Sequence, residues 1–193
     1  MRRKDREVKD IREILQIVEK AKILHLGMFD GEYPYVVPLH YGYEYAEEKQ
    51  EFTFYMHSAK EGHKLDLIAQ NPNVCAELEC DIELISGGEI PCAYGSAYAS
   101  LIGKGHAEIV KNVEEKIKGL KLFMRNQTGR EFAMDERMAS SVAVLKVTVP
   151  QFTAKARRNP RPENSQTQTG GHKDDGTVKK TVPTRKRSGY CTA

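Results

Sequence analysis

The chain has 193 residues, of which 39% are hydrophobic and 30% charged, enough for one domain of ordinary size plus an extension. The net charge of +3 is unevenly placed: residues 155–193 hold ten Lys and Arg against three Asp and Glu, whereas residues 1–154 hold 20 against 24. The body therefore offers no electrostatic ground for nucleic-acid binding, and no apolar run approaches the ~18–20 residues that span a bilayer.

The charged start, MRRKDREVKD, leads into an amphipathic helix and not into a secretory h-region. A soluble, cytoplasmic protein with no membrane partner is expected. Residues 10–20 place Ile11, Ile14, Leu15 and Val18 at helical spacing behind a possible Asp10 N-cap. KILHLGMF (22–29) reads as a strand, Asp30-Gly31 as a hairpin turn, and YPYVVPLHYGYEY (33–45) as the partner strand. The polar AEEKQ turns the chain into EFTFYMHS (51–58), a third strand. A helix over 60–70 carries Leu65, Leu67 and Ile68 on its apolar side and stops at Asn71-Pro72. Val74 to Leu78 reads as a strand, 81–91 as a loop with Gly87-Gly88, and 93–110 as a long strand bent or bulged at Gly103 and Gly105. A helix over 112–125, a helical patch near 135–140 and a closing strand over 142–150 complete the body.

This pattern predicts a mainly β domain with flanking helices, a six-stranded antiparallel barrel over residues 1–155. Residues 156–193 lack periodicity and are rich in polar residues, Pro and Gly. A basic, disordered C-terminal tail is expected there, because such a segment buries too little apolar surface to offset ordering entropy. Cys75, Cys80, Cys92 and Cys191 form no CxxC pair, and His25, His40, His63 and His106 have no metal-site spacing. No metal is expected.

The segment FYMHSAKEGHKLDLIAQNP (54–72) carries the chemistry. A strand end opening onto a helix start gathers free backbone N–H groups and positive dipole. Ser58, Gly62 and Lys64 add a hydroxyl, a backbone that allows close approach and a cation, which together suit a phosphate. The plainer reading is a helix N-terminus with solvated lysines. Val36, Val37, Pro38 and Leu39 read first as core, but Pro38 denies one ladder bond and places the stretch at an edge or bulge. A planar ligand could lie against such an edge.

The wording of 26–45, 52–79 and 98–110 resembles the pyridoxamine 5′-phosphate oxidase-like split-barrel flavoproteins, in particular the nitroimidazole-resistance (Nim-type) branch. With the flanking helices the resemblance covers about residues 8–155. It implies an FMN-binding split barrel and a homodimer with two shared FMN clefts. The strand Pro34 to Leu39, including Tyr35, Val36, Val37, Pro38 and Leu39, would lie along the flavin ring. His57, Ser58 and Ala59 would follow the ribityl chain and phosphate, with Gly62 beside them and Lys64 pairing with the phosphate. Ser100 sits where the oxidases present a polar side chain from the second subunit. His57 matches the histidine of the Nim-type segment, as a contact to a nitro compound or as an ordering group.

The oxidases' basic substrate grip has no counterpart. Tyr35 precedes Val36 in YVVPL, and VTVPQFTAKARRNP lacks the oxidases' Arg-x-His. The expected activity is therefore that of an FMN-dependent oxidoreductase, nitroreductase-like, reducing nitroaromatics such as 5-nitroimidazoles with a donor such as NAD(P)H. The alternatives are a non-catalytic flavin or haem sensor of the same fold, a pyridoxamine-phosphate-oxidase-like enzyme, or a deazaflavin-dependent one.

Overall fold

In the computed structural model, which describes residues 3–160, one antiparallel sheet is wound around an apolar core. The expected tail from residue 161 onward lies outside the described residues. The strands are β1 (Glu7–Val8), β2 (Leu24–Asp30), β3 (Tyr33–Leu39), β4 (Gly42–Ala46), β5 (Glu51–Ser58), β6 (Asn73–Ile85), β7 (Gly95–Ile109) and β8 (Ala143–Arg157). The helices are α1 (Ile11–Lys20), α2 (His63–Gln70), α3 (Val113–Thr128) and α4 (Glu136–Ser140). The strand order is β3-β2-β6-β7-β8-β5-β4, with β1 paired to β8.

Two expectations are corrected. The described residues form eight strands, not six, because β1 is an added two-residue strand and the stretch 33–45 breaks into two. The sheet also does not close: β3 and β4, consecutive in the chain, form its two opposite edges. Only His40 and Tyr41 join them. A chain of that length spans at most about 11 Å, so the edges come together at one end and remain unpaired along a seam. β6 also runs on to Ile85, through what reads as a loop in sequence, by way of a bulge at Asp81, whose φ is +53°. β8 continues two residues past the expected domain boundary at residue 155. The anticipated irregularity in β7 is present at Gly105, where the β7–β8 register shifts.

Alternation explains the core. Leu24, Leu26 and Met28 of β2, Val74, Ala76 and Leu78 of β6, and Val147 and Val149 of β8 point inward. α1 covers one end with Ile14, Ile17 and Val18, and α2 adds Leu65, Leu67 and Ile68. Asp10 caps α1 as its sequence suggests, accepting from the Arg12 N–H at 2.8 Å. β5 is buried on both faces: Phe52, Phe54 and Met56 enter the core, while Tyr55 packs under α3 with Leu120 and Val144. Among the described residues no helix is long and apolar enough to cross a membrane.

Tyr41 ties the seam's closed end to α1. Its hydroxyl is fully buried, 2.6 Å from the Val18 carbonyl oxygen and 2.8 Å from that of Ala21, and donates to this pair. Burial holds it protonated well above the ordinary tyrosine range. Tyr41→Phe is expected to cost ~1–3 kcal/mol, since it leaves two buried carbonyls without their donor. Urea unfolding checks this, and an unchanged midpoint would show that the hydroxyl contributes nothing.

Candidate functional site

The seam has two free walls. β3 pairs only with β2, so its outer edge offers unpaired backbone groups. On the other side β4 covers β5 only as far as Tyr55, and Met56, His57 and Ser58 pair with β8 alone. Pro38 sits on the edge strand, as its missing N–H requires. The core reading of Val36–Leu39 gives way to alternation. Val36 is 55% exposed, while Tyr35, Val37 and Leu39 are half-buried against the core.

α2 begins at the mouth of this seam. Gly62 occupies the N-cap position with φ +142°, a conformation that side-chain-bearing residues rarely adopt. It has no neighbour within 4 Å of where a Cβ would stand. No side chain caps the helix. The Leu65 and Asp66 N–H groups turn back to the Gly62 carbonyl, so the first donors of α2 remain available. Lys64, half-buried on the first turn, makes no ion pair among the described residues. An uncapped helix start with an uncommitted lysine is a place for an anion.

His63 fastens this helix to the β2–β3 hairpin. Its Nε2 is 2.8 Å from the Asp30 carboxylate, and its ring meets Tyr35 edge-on at 5.0 Å. Tyr35 and Lys64 are thereby brought to one locality. His57 stands at the surface of the β5 edge, its ring perpendicular to Phe123 at 4.7 Å. Partial burial lowers its pKa below the ordinary histidine value, and the nearby His40 and Lys64 lower it further. The His40 Nδ1 lies 2.9 Å from the Lys22 carbonyl oxygen. A carbonyl only accepts, so Nδ1 carries the proton and Nε2 is the free nitrogen of the neutral ring.

Three predicted residues are placed less directly. Ser58 is buried, and its hydroxyl donates to the Ala59 carbonyl at 2.8 Å, so that proton is committed within the loop. Ala59 is exposed beside it. Ser100 lies on β7 opposite Glu79 and Lys155, and β7 pairs with β6 and β8, not with either wall of the seam. A cavity of about 910 Å³ also lies across the outer face of β2, β3, β6 and β7. It is lined by Phe29, Pro34, Val36 and Lys104, with a His25–Glu77 pair at 3.1 Å. Of the strand Pro34 to Leu39 expected along the flavin it includes Pro34 and Val36, and it includes none of the other predicted cofactor residues.

Sequence reasoning did not single out His40, His63 or Phe123. His63 and His40 each adjoin a predicted residue or strand, which is a usable signal. Phe123 has only its helical spacing.

His57 titration has a stability consequence. Its folded pKa lies below its unfolded value, so on acidification the unfolded chain takes up the proton first. Stability is expected to fall as pH drops from about 7.5 through the ordinary histidine value near 6.5. His57→Gln should lose part of this dependence in urea unfolding at several pH values. An identical pH dependence in the variant would exclude the effect.

A family model described as pyridoxamine 5′-phosphate oxidase matches residues 10–156. Among solved structures, a candidate 5-nitroimidazole antibiotic resistance protein from Bacteroides thetaiotaomicron is 32% identical, with a TM-score of 0.65 over 78% of this chain and 86% of that one. The flavocytochrome Anf3 from Azotobacter vinelandii is 16% identical, with a TM-score of 0.65 over 96% and 91%. The FAD and heme binding protein from Mycobacterium smegmatis is 10% identical, with a TM-score of 0.65 over 82% and 77%. The last two likenesses are of fold. No curated protein matches the chain.

Proposed function

We propose that this chain, which belongs to the pyridoxamine 5′-phosphate oxidase family, binds FMN along its seam and works as a nitroaromatic-reducing oxidoreductase. The observation that carries this is the meeting of two unpaired strand edges with an uncapped helix start and the uncommitted Lys64. These residues fit the group. Lys64 and the first N–H groups of α2 would hold the phosphate, and the open space at Gly62 allows its approach. The free edge of β3 would hold the ring, and Tyr35 would frame it from the hairpin side.

Flavin, when bound, supplies reversible electron carriage between a donor such as NAD(P)H and an acceptor. The chain's own part is to orient and to exclude water. His57, uncharged near neutral pH, can exchange a hydrogen bond with a nitro or similar oxygen at the seam. The relatives' names support the reading: one is tied to 5-nitroimidazole resistance and two to flavin. Nothing resembles the oxidases' basic substrate grip, which weighs against vitamin B6 oxidation.

In the proposed homodimer Ser100 would meet the flavin from the second copy, since β7 pairs with β6 and β8 and not with a wall of the seam; the outer face of the sheet exposes Phe29 at 62%, Val36 at 55% and Ile102 at 47%. Large exposed apolar side chains on this face suit a partner surface. Dilution to monomer is therefore expected to release FMN, as read by flavin fluorescence alongside sedimentation. A clean monomer that keeps its FMN would contradict a shared site. The activity itself is tested by reoxidation: reduced, FMN-loaded protein should be reoxidised anaerobically by a 5-nitroimidazole. Binding of FMN without such turnover would make the protein a carrier or sensor.

A further inference from the structure

α3 lies outside the seam strands, yet it meets the seam's β5 wall where Phe123 contacts His57. The ring centroids are 4.7 Å apart and the planes perpendicular. Phe123 is buried, at 9% exposure, and cannot swing away without leaving a void. Its helix is also fixed from several sides. The Asn126 and Gln127 side chains donate to the Tyr41 carbonyl at 2.9 and 2.8 Å. Lys118 pairs with Glu44 at 2.7 Å, and Glu115 with Lys146 at 2.9 Å. At Gly42 the α3 backbone comes so close that a Cβ would stand 2.1 Å from the Phe123 nitrogen.

The surroundings of His57 are one-sided. α2 presents Lys64, the β3–β4 connection presents His40, and α3 presents the apolar Phe123. No carboxylate among the described residues pairs with His57. A ring beside an apolar wall, with only cationic or neutral side chains in view, has no protein group to compensate a positive charge.

We propose that Phe123 is the positioning residue of the seam, holding the His57 imidazole side-on and uncharged so that it meets a substrate oxygen as a neutral hydrogen-bonding group. The inference rests on the reading of the seam as a substrate site, but its test requires no flavin. α3 thereby acts as a rigid strut whose seat on Gly42 and Tyr41 sets where His57 points.

The experiment is an NMR pH titration of the His57 imidazole in the full chain, assigned by its loss in His57→Gln. The wild-type midpoint is expected below the ~6.5 of an unperturbed histidine. In Phe123→Leu, which removes the ring but keeps an apolar residue, the midpoint should rise towards that value. In Phe123→Tyr, which keeps the ring, it should stay at the wild-type position. An unchanged midpoint in Phe123→Leu overturns the proposal. If that variant does not fold, the wild-type protein still decides: nuclear Overhauser contacts between the Phe123 ring and the His57 imidazole are expected, and their absence overturns it. A shifted midpoint in a protein that fails to bind FMN would uphold the strut and remove the flavin reading, so the two failures are distinguishable.

Discussion

Lys64→Ala is expected to weaken FMN binding by ~1–3 kcal/mol, the cost of losing a charge-assisted hydrogen bond. That is roughly a 5- to 150-fold rise in dissociation constant. The effect should be large because Lys64 is not engaged elsewhere. Among the described residues it has no carboxylate partner, so its charge is available to a phosphate at the α2 start. The loss should also be specific. Lys60, exposed in the preceding loop and not on the helix, serves as the control, and Lys60→Ala should change binding much less. Titration calorimetry with FMN reads both. Because a phosphate contact is charge-assisted, the difference between wild type and Lys64→Ala should shrink as salt rises. Equal affinities for the two proteins would remove Lys64 from the site.

Gly42→Ala is the largest expected effect on stability. The added methyl would lie 2.1 Å from the Phe123 nitrogen and 2.2 Å from the Leu122 carbonyl carbon. Both are backbone atoms, so no side chain can swing aside to make room. Overpacking of this kind costs ~1–3 kcal/mol, occasionally more, and here the upper part of the range is expected. Only outward movement of α3 relieves the contact. That movement also disturbs the Asn126 and Gln127 bonds to Tyr41 and draws Phe123 from His57. Gly42→Ala should therefore lower the urea midpoint and raise the His57 titration midpoint together. A variant as stable as wild type would mean that α3 does not sit on Gly42 at this distance.

Much of the candidate site's local structure was legible because its determinants are local. A strand end, a glycine with a conformation few other residues adopt, a lysine and an amphipathic helix are all written within residues 54–72, and the structure assembles them in that order. The Asp10 cap and the Asp30-Gly31 turn are local in the same way; Gly31 has the positive φ of +57° that its turn requires. The misreadings share a different cause. Residues 33–45 keep one strand-like composition throughout, so nothing local marks the break at His40-Tyr41. The break follows from long-range contacts, with Tyr41 buried under α1 while β3 and β4 leave for opposite edges. Val36 to Leu39 look like core because they are apolar. Pro38 already marks an edge or bulge in the sequence, and the sheet order places β3 at the edge, with Val36 exposed on its outer face. Past Cys80 the alternation of Ile82 and Leu84 is masked by the Asp81 bulge and the nearby glycines. The contact of the Ser58 hydroxyl with the Ala59 carbonyl is likewise not visible in residue type. The pairing of Phe123 with His57 spans 66 residues and leaves no sequence pattern at all.

The central claim is that the seam is built for FMN. Freshly purified full-length protein, examined for flavin absorbance and then by mass spectrometry of the ligand released on denaturation, tests it most directly. A yellow protein that yields FMN is expected, or a colourless one that takes up added FMN and does so more weakly in Lys64→Ala. A protein that shows no flavin absorbance and binds no added FMN would contradict it.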